Sequence, residues 1–450
     1  MKEIAVAGTG YVGLVTGVCL AHHGHSVTCV DVDAAKVARL CAGQSPIYEP
    51  GLEELLKEGI GAGRLRFTTD GAAAYQNAEV IFIGVGTPER EDGSANLDYV
   101  FAVVREIAAA VRRDCVVVVK STVPIGTNDE VERYLKEHLA HPVQLDVASN
   151  PEFLSQGTAV RDTLHASRIV SGTEAERPRR VLEEVYADFD APRLFTSRRS
   201  AEMIKYASND FLALKISYIN EIANLCELVG ASVDDVAAGM GYDQRIGRHF
   251  LRAGIGYGGS CFPKDTKALD SFATIKGVTL KTVAATIAVN EGQKRRLLQK
   301  AHAHYKSLAG VTVAVLGLAF KPGTDDLREA PSLLCVPQLL AEGAALRAWD
   351  PVAAQNFARR LASLPGTAGA AGSITYCDTI QNALAGAGLC LIFTEWPEVR
   401  ALDPKTFEEQ MALPLVLDGR NCFSPQEVQK SGARLRYESI GRPPVDTRGG

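Results

Sequence analysis

Apolar positions in the first 190 residues fall in short runs separated by stretches with helical spacing. Runs at residues 4–7, 26–30, 80–83, 116–119, 145–148 and 168–170 are rich in Val, Ile and Ala and predict strands. Residues 99–112 and 129–139 repeat apolar side chains every three or four positions and predict helices. Strands alternating with helices imply a parallel, doubly wound sheet. The pattern then changes. Residues 200–229 contain neither Gly nor Pro and keep the helical period, which predicts one helix about 45 Å long. A second long helix is predicted over residues 282–309. From residue 311 the alternation resumes, with strands predicted at 311–316, 346–349, 389–394 and 415–417. The chain reads as α/β: two doubly wound Rossmann-like domains (1–196 and 301–442) joined by a central helical domain (197–300). Pro443-Pro444 and the final Arg-Gly-Gly predict a flexible tail, 443–450.

Composition narrows the function classes. The 450 residues are 46% hydrophobic and 22% charged, an ordinary globular balance with room for several cores. A net charge of −5 argues against nucleic acid or an anionic membrane as partner. No apolar run approaches the roughly 18 residues that span a bilayer. The ten cysteines form no CxxC pair and no His-rich cluster, so no metal site is expected. Without a signal-like segment after Met1, the expectation is a cytoplasmic protein with reduced thiols.

Gly8-x-Gly10-x-x-Gly13 sits between a predicted strand and a predicted helix, and Asp31 ends the next strand about 20 residues on. In that context the three glycines serve a tight turn, access for a pyrophosphate and close helix packing. An acid at position 31 suits a ribose 2′-hydroxyl and repels a 2′-phosphate, which favours NAD over NADP. Thr87-Pro88, Ser121-Thr122 and Asn150-Pro151-Glu152-Phe153-Leu154 each follow a predicted strand, where ligands of such sheets bind. Each is equally explained, alone, as turn chemistry. Lys205 and Asn209, four residues apart on the long predicted helix, share a face and offer two donors to a developing oxyanion, or simply face solvent. Gly254-Ile255-Gly256-Tyr257-Gly258-Gly259-Ser260-Cys261-Phe262-Pro263-Lys264-Asp265 reads as a loop moulded around a ligand, with Cys261 a candidate nucleophile. A buried structural cysteine in a tight turn explains the same residues. The second α/β region lacks GxGxxG but has Phe320-Lys321-Pro322, Asp326-x-Arg328 and Asp418-Gly419-Arg420. Its basic residues suit a nucleotide diphosphate.

These blocks in this order resemble the UDP-glucose/GDP-mannose dehydrogenase family over nearly the whole chain. The resemblance implies an N-terminal NAD domain, a central helical dimerisation domain and a C-terminal nucleotide-sugar domain, in a homodimer or higher homo-oligomer. Phe262 after the cysteine is similar to the UDP-glucose branch. The implied reaction is four-electron oxidation of the C6 alcohol of UDP-glucose to the carboxylate. It would consume two NAD⁺ and pass through a Cys261 thiohemiacetal and thioester. By resemblance, Cys261 is the nucleophile, Lys205 and Asn209 stabilise oxyanions, Asp265 and Thr122 hold a water, and Glu152 acts in hydrolysis. The implied cofactor positions are Gly8, Gly10, Tyr11, Val12, Gly13, Asp31, Lys36, Thr87, Ser121, Thr122, Gln156, Lys264 and Arg328. Implied substrate positions are Glu152, Phe153, Leu154, Lys205, Asn209, Arg252, Gly256, Tyr257, Gly258, Phe320, Lys321 and Arg420, with Arg245 reaching a partner subunit's substrate. One position departs from the family. Gln156 stands where the family has an acid, keeping hydrogen-bonding capacity and losing the charge. The same chemistry on GDP-mannose or UDP-N-acetylmannosamine, a single-step hydroxyacid dehydrogenase using Lys205 and Asn209, and an NAD-responsive binding protein are the competing readings.

Overall fold

The computed structural model describes residues 1–367 and 369–449; Gly450 of the expected tail lies outside them. The chain forms two compact units, residues 1–208 with 267–278, and residues 209–266 with 279–450. The helical middle of the chain divides between them.

The first unit is built on eight strands: β1 (Glu3–Ala7), β2 (Ser26–Val30), β3 (Leu65–Thr68), β4 (Val80–Ile83), β5 (Cys115–Val119), β6 (Leu145–Ser149), β7 (Ile169–Gly172) and β8 (Arg193–Thr196). Their order in the sheet is β3-β2-β1-β4-β5-β6-β7-β8. The central strands read as unbroken apolar runs because both faces are covered. Ile4, Val6, Val80, Phe82, Val116 and Val118 point into one core. Ala5, Ala7, Ile81, Ile83, Val117 and Val119 point into the other. The sheet is not parallel throughout, as the alternation had implied: β6 and β7 pair antiparallel through Ser149 and Gly172. β3 and β8 escaped the pattern because they are four-residue edge strands with exposed positions.

The second unit carries β9 (Thr312–Leu316), β10 (Ala345–Trp349), β11 (Ser373–Tyr376), β12 (Leu389–Ile392), β13 (Leu415–Asp418), β14 (Arg436–Glu438) and β15 (Val445–Asp446). Their order is β11-β10-β9-β12-β13-β14-β15, parallel except for β14 with β15. The tail is therefore corrected at its centre. Val445 pairs with Tyr437, and Thr447 donates from its amide to Leu435.

The long helix is one piece, Arg198–Val229, 32 residues and about 48 Å long. The second predicted helix is two, Lys281–Gln293 and Arg296–His304. Gly292 weakens helix there, and the break lets buried Lys294 reach Glu291 at 2.7 Å and Glu329 at the short distance of 2.5 Å.

Near the N-terminus, the backbone amide of Lys2 donates to Nδ1 of buried His25, and its Nε2 donates to the Val185 carbonyl at 3.0 Å. Those bonds fix the neutral ring. Burial lowers the His25 pKa below the ordinary 6.5, outweighing the Val185 bond that raises it. His25 therefore stabilises the fold fully above pH 6.5, and this contribution is lost as pH falls from there through the folded-state value. Melting temperature should fall between pH 7.5 and 5.5, with a smaller fall in His25→Gln. Equal pH dependence in the two proteins would contradict this.

Candidate active site

In the first unit the candidate residues converge on the carboxyl ends of adjacent parallel strands, the ligand side of a doubly wound sheet. Gly8 follows β1 with φ +96°, and a Cβ on Gly13 would lie 2.0 Å from the Gly8 carbonyl. Both positions require glycine. Gly10 differs, because a Cβ there meets nothing within 4 Å. The open space above it lies at the N-terminus of the helix Tyr11–His22, whose first-turn amides suit a pyrophosphate. Val12 is half-buried in that turn, and the Tyr11 hydroxyl donates to the Tyr48 carbonyl at 2.9 Å. At the end of β2, Asp31 accepts from the Thr9 amide at 3.0 Å and from Lys36 Nζ at 2.8 Å. Burial raises its pKa, but the Lys36 and Thr9 bonds prevail and hold the carboxylate below the usual range. Lys36 thus braces the acid.

Farther along the same edge, the Thr87 hydroxyl donates to the Thr122 carbonyl at 2.9 Å, and the Ser121 hydroxyl to the Val85 carbonyl at 2.6 Å. Beyond β6, Glu152 is buried. One oxygen accepts from the Leu154 amide at 2.7 Å, and the other pairs with Lys205 Nζ at 2.9 Å. Phe153 lies under two cations, Arg168 at 3.8 Å and Lys205 at 5.4 Å from its ring centre. Gln156 is buried three residues after Phe153.

In the second unit the glycine-rich stretch is a loop only as far as Ser260. Cys261 caps the helix Phe262–Ile275: its carbonyl accepts the Asp265 amide at 2.8 Å. Pro263 suits that first turn, where no donor is needed. The positive end of the helix dipole therefore faces a partly exposed sulfur and favours negative charge on it. One turn on, buried Asp265 accepts from Asn209 Nδ2 at 2.7 Å and Lys264 Nζ at 2.6 Å. Lys205 and Asn209, one turn apart on a single helix, thus hold different carboxylates.

The loop itself is fixed by amide side chains that the sequence reading missed. Asn290 accepts from the Tyr257 amide at 2.8 Å and donates to the Tyr257 carbonyl at 3.0 Å. Asn220 accepts from the Gly254 amide and Gln293 donates to the Gly254 carbonyl. The available signal was amides on the apolar faces of helical segments. Gly256 and Gly259 have φ +84° and +85°, and a Cβ on Gly258 would lie 2.5 Å from the Glu329 carbonyl. Arg420 is half-buried, and its guanidinium donates to the carbonyls of Phe393, Gly256 and Phe320 at 2.9, 2.8 and 3.1 Å. Here Arg420 braces the loop. Arg252 donates to the Arg420 carbonyl. Lys321 lies over the Phe320 ring. Arg328 and Arg245 are exposed and clasp Asp326 and Asp243. Asp350, ending β10 as Asp31 ends β2, accepts from the amides of Leu318, Ala319, Val352 and Ala353 and from Trp396. That engagement leaves it unsuited to a ribose. Among the described residues no cluster of His, Cys, Asp or Glu is arranged for a metal ion, and no helix is long and apolar enough to cross a membrane.

A glycine turn leading into a helix N-terminus and an acid ending the second strand define the dinucleotide side of a dehydrogenase, and in the other unit a cysteine caps a helix. The chain belongs to the UDP-glucose/GDP-mannose dehydrogenase family and is an NAD-dependent oxidoreductase. Family models match its NAD binding domain at residues 2–190, its central domain at 199–292 and its UDP binding domain at 314–425. A UDP-glucose 6-dehydrogenase of Bacillus subtilis (strain 168) is 48% identical over 443 residues, 98% of each chain. One from Rhizobium meliloti (strain 1021) is 47% identical, covering 98% of this chain and all of that one. Among solved structures, a UDP-glucose dehydrogenase from Pyrobaculum islandicum superposes with a TM-score of 0.89 at 40% identity, covering 98% of both chains.

Asn290→Ala should leave the Tyr257 amide and carbonyl without buried partners and cost about 1–3 kcal/mol. Chemical denaturation checks this; an unchanged midpoint would show that the amide does not hold the loop.

Proposed function

We propose that this enzyme oxidises the C6 alcohol of UDP-glucose to the carboxylate, giving UDP-glucuronate, without releasing the aldehyde. The observation that carries this reading is Cys261 at a helix N-terminus, at the end of a loop whose backbone is held by buried amides. NAD, when bound at Gly8–Gly13 and Asp31, would supply the hydride acceptor, one molecule for each of the two oxidations. Lys205 places positive charge where the C6 oxygen becomes an alkoxide, and Asn209 adds a donor. The Cys261 sulfur then adds to the aldehyde carbon, whose oxygen takes a proton. The resulting thiohemiacetal again carries a hydrogen that can leave as hydride, which a bare aldehyde does not offer. Loss of that hydride and of the hydroxyl proton leaves a thioester on Cys261. Asp265 and Thr122 hold the water that hydrolyses it, Glu152 assists, and the thiol returns as the carboxylate departs.

The 48% and 47% identities to UDP-glucose enzymes support this substrate, against 26% to a UDP-D-ManNAc dehydrogenase from Pyrococcus horikoshii. Tyr257, Gly258, Phe320, Lys321 and Arg252 are the proposed UDP-sugar contacts; Lys264, Arg328 and Gln156 are proposed on the cofactor side. We place the enzyme in the cytoplasm, where its ten cysteines, none in a disulfide, stay reduced.

The proposed assembly is a homodimer formed through the helix Arg198–Val229. Phe211, Tyr218 and Leu225, at seven-residue spacing, are 61%, 48% and 54% exposed, and Leu228 is 83% exposed. A contiguous apolar stripe of this kind marks an interface. A second copy would also give exposed Arg245 a substrate to reach.

Wild-type enzyme should form NADH with UDP-glucose faster than with GDP-mannose or UDP-N-acetylmannosamine. Cys261→Ser should lower turnover to the acid on the order of a thousandfold; normal turnover by that variant would overturn the nucleophile. Tyr218→Glu combined with Leu225→Glu should yield monomer in sedimentation velocity, and an unchanged oligomer would place the interface elsewhere.

A further inference from the structure

The mechanism above makes no use of Lys120, a buried cation beside the candidate site. Lys120 follows β5 directly and is buried. Its Nζ donates to Asn150 Oδ1 at 2.9 Å and reaches the Asn150 carbonyl at 3.4 Å and the Tyr186 hydroxyl at 3.5 Å. Among the described residues no carboxylate lies within ion-pair distance of it. Its neighbours Cys19 and Tyr186 are neutral, because burial pushes the thiol up to about 12 and the phenol higher. The charges it feels are Glu152 and Lys205.

A buried ammonium held by neutral acceptors is costly, and that cost calls for a use. Asn150 shows one. Its Oδ1 accepts from both Lys120 and the Tyr186 hydroxyl, its Nδ2 donates to the Val170 carbonyl at 2.7 Å, and its backbone amide donates to Val119 at 2.9 Å. Side chain and backbone of the residue that opens the Asn150-Pro151-Glu152 turn are thus pinned to β5, to β7 and to the residue after helix Glu176–Val185. Glu152, two residues on, is held at a fixed height against Lys205. Lys120 is a second cation in the surroundings of Glu152, beside Lys205. Burial lowers the Lys120 pKa to about 8, with Lys205 lowering it and Glu152 opposing, so the cation persists at neutral pH.

We propose that Lys120 is a positioning residue for the reaction: through Asn150, and with Tyr186, it fixes the turn that presents Glu152 to Lys205 and the thioester. This rests on the proposed role of Glu152. The test is a double-mutant cycle on kcat for NADH formation from UDP-glucose, with Lys120→Gln, Glu152→Gln and the pair. Tyr186→Phe replaces Lys120→Gln in the cycle if that variant does not fold. Lys120→Gln should lower kcat at least about tenfold in the wild-type background and less than about threefold in the Glu152→Gln background, with KM for UDP-glucose little changed. Tyr186→Phe should act in the same direction with a smaller effect. Equal losses in both backgrounds, or kcat within about twofold of wild type, would overturn the proposal. If wild-type enzyme forms no NADH from UDP-glucose, the substrate reading alone fails. The same cycle read by melting temperature then decides: non-additive shifts support Lys120 acting on Glu152, and additive shifts overturn it.

Discussion

The buried ion pair between Lys205 and Glu152 is the interaction on which the first unit's site depends. It joins the start of a 32-residue helix to the turn after β6. Both side chains are nearly inaccessible, so neither charge has water to fall back on. Removing one partner of such a pair typically costs about 3–5 kcal/mol, because the other stays buried and unpaired. The pair holds together the two charges that the proposed oxidation and hydrolysis would use separately. Lys120 and Arg168 crowd further positive charge around the same turn, an arrangement that favours anionic oxygen over neutral.

The second unit solves a different problem with a different device. A run of glycines gives the backbone access to conformations and close approaches that side chains forbid, at the risk of a loose loop. Asn220, Asn290, Gln293 and Arg420 remove that looseness by binding the loop's amides and carbonyls directly. The loop's backbone is thereby held where glycines offer no side chains to hold it, and Cys261 follows it at a helix N-terminus.

What could be read in the sequence is what is local. Gly8, Gly10, Gly13 and Asp31 were legible because turn, helix, second strand and acid follow the first strand within 24 residues, and apolar runs buried on both faces marked the central strands. Edge strands were not legible, since β3, β8 and β11 are only four residues each, too short for a period to declare itself. The break at Lys294 was invisible because Gly292 only weakens the helix and the partner that holds Lys294, Glu329, lies far along the chain. Asn290 and Lys120 were missed for the same reason: a polar residue on an apolar face carries no sign of the distant backbone it serves. Even the cysteine changed. Read as one member of a loop, it caps a helix, which supplies an electrostatic reason for the proposed nucleophile that glycines alone do not.

In the proposed reaction, one thiol lets one enzyme perform two oxidations on the same carbon. The direct measurement is the number of NADH formed per UDP-glucose consumed, under limiting sugar nucleotide and excess NAD. Two NADH per UDP-glucose, with no free aldehyde trapped by a carbonyl reagent, is the result predicted. One NADH per UDP-glucose, or stoichiometric release of the aldehyde, would contradict it.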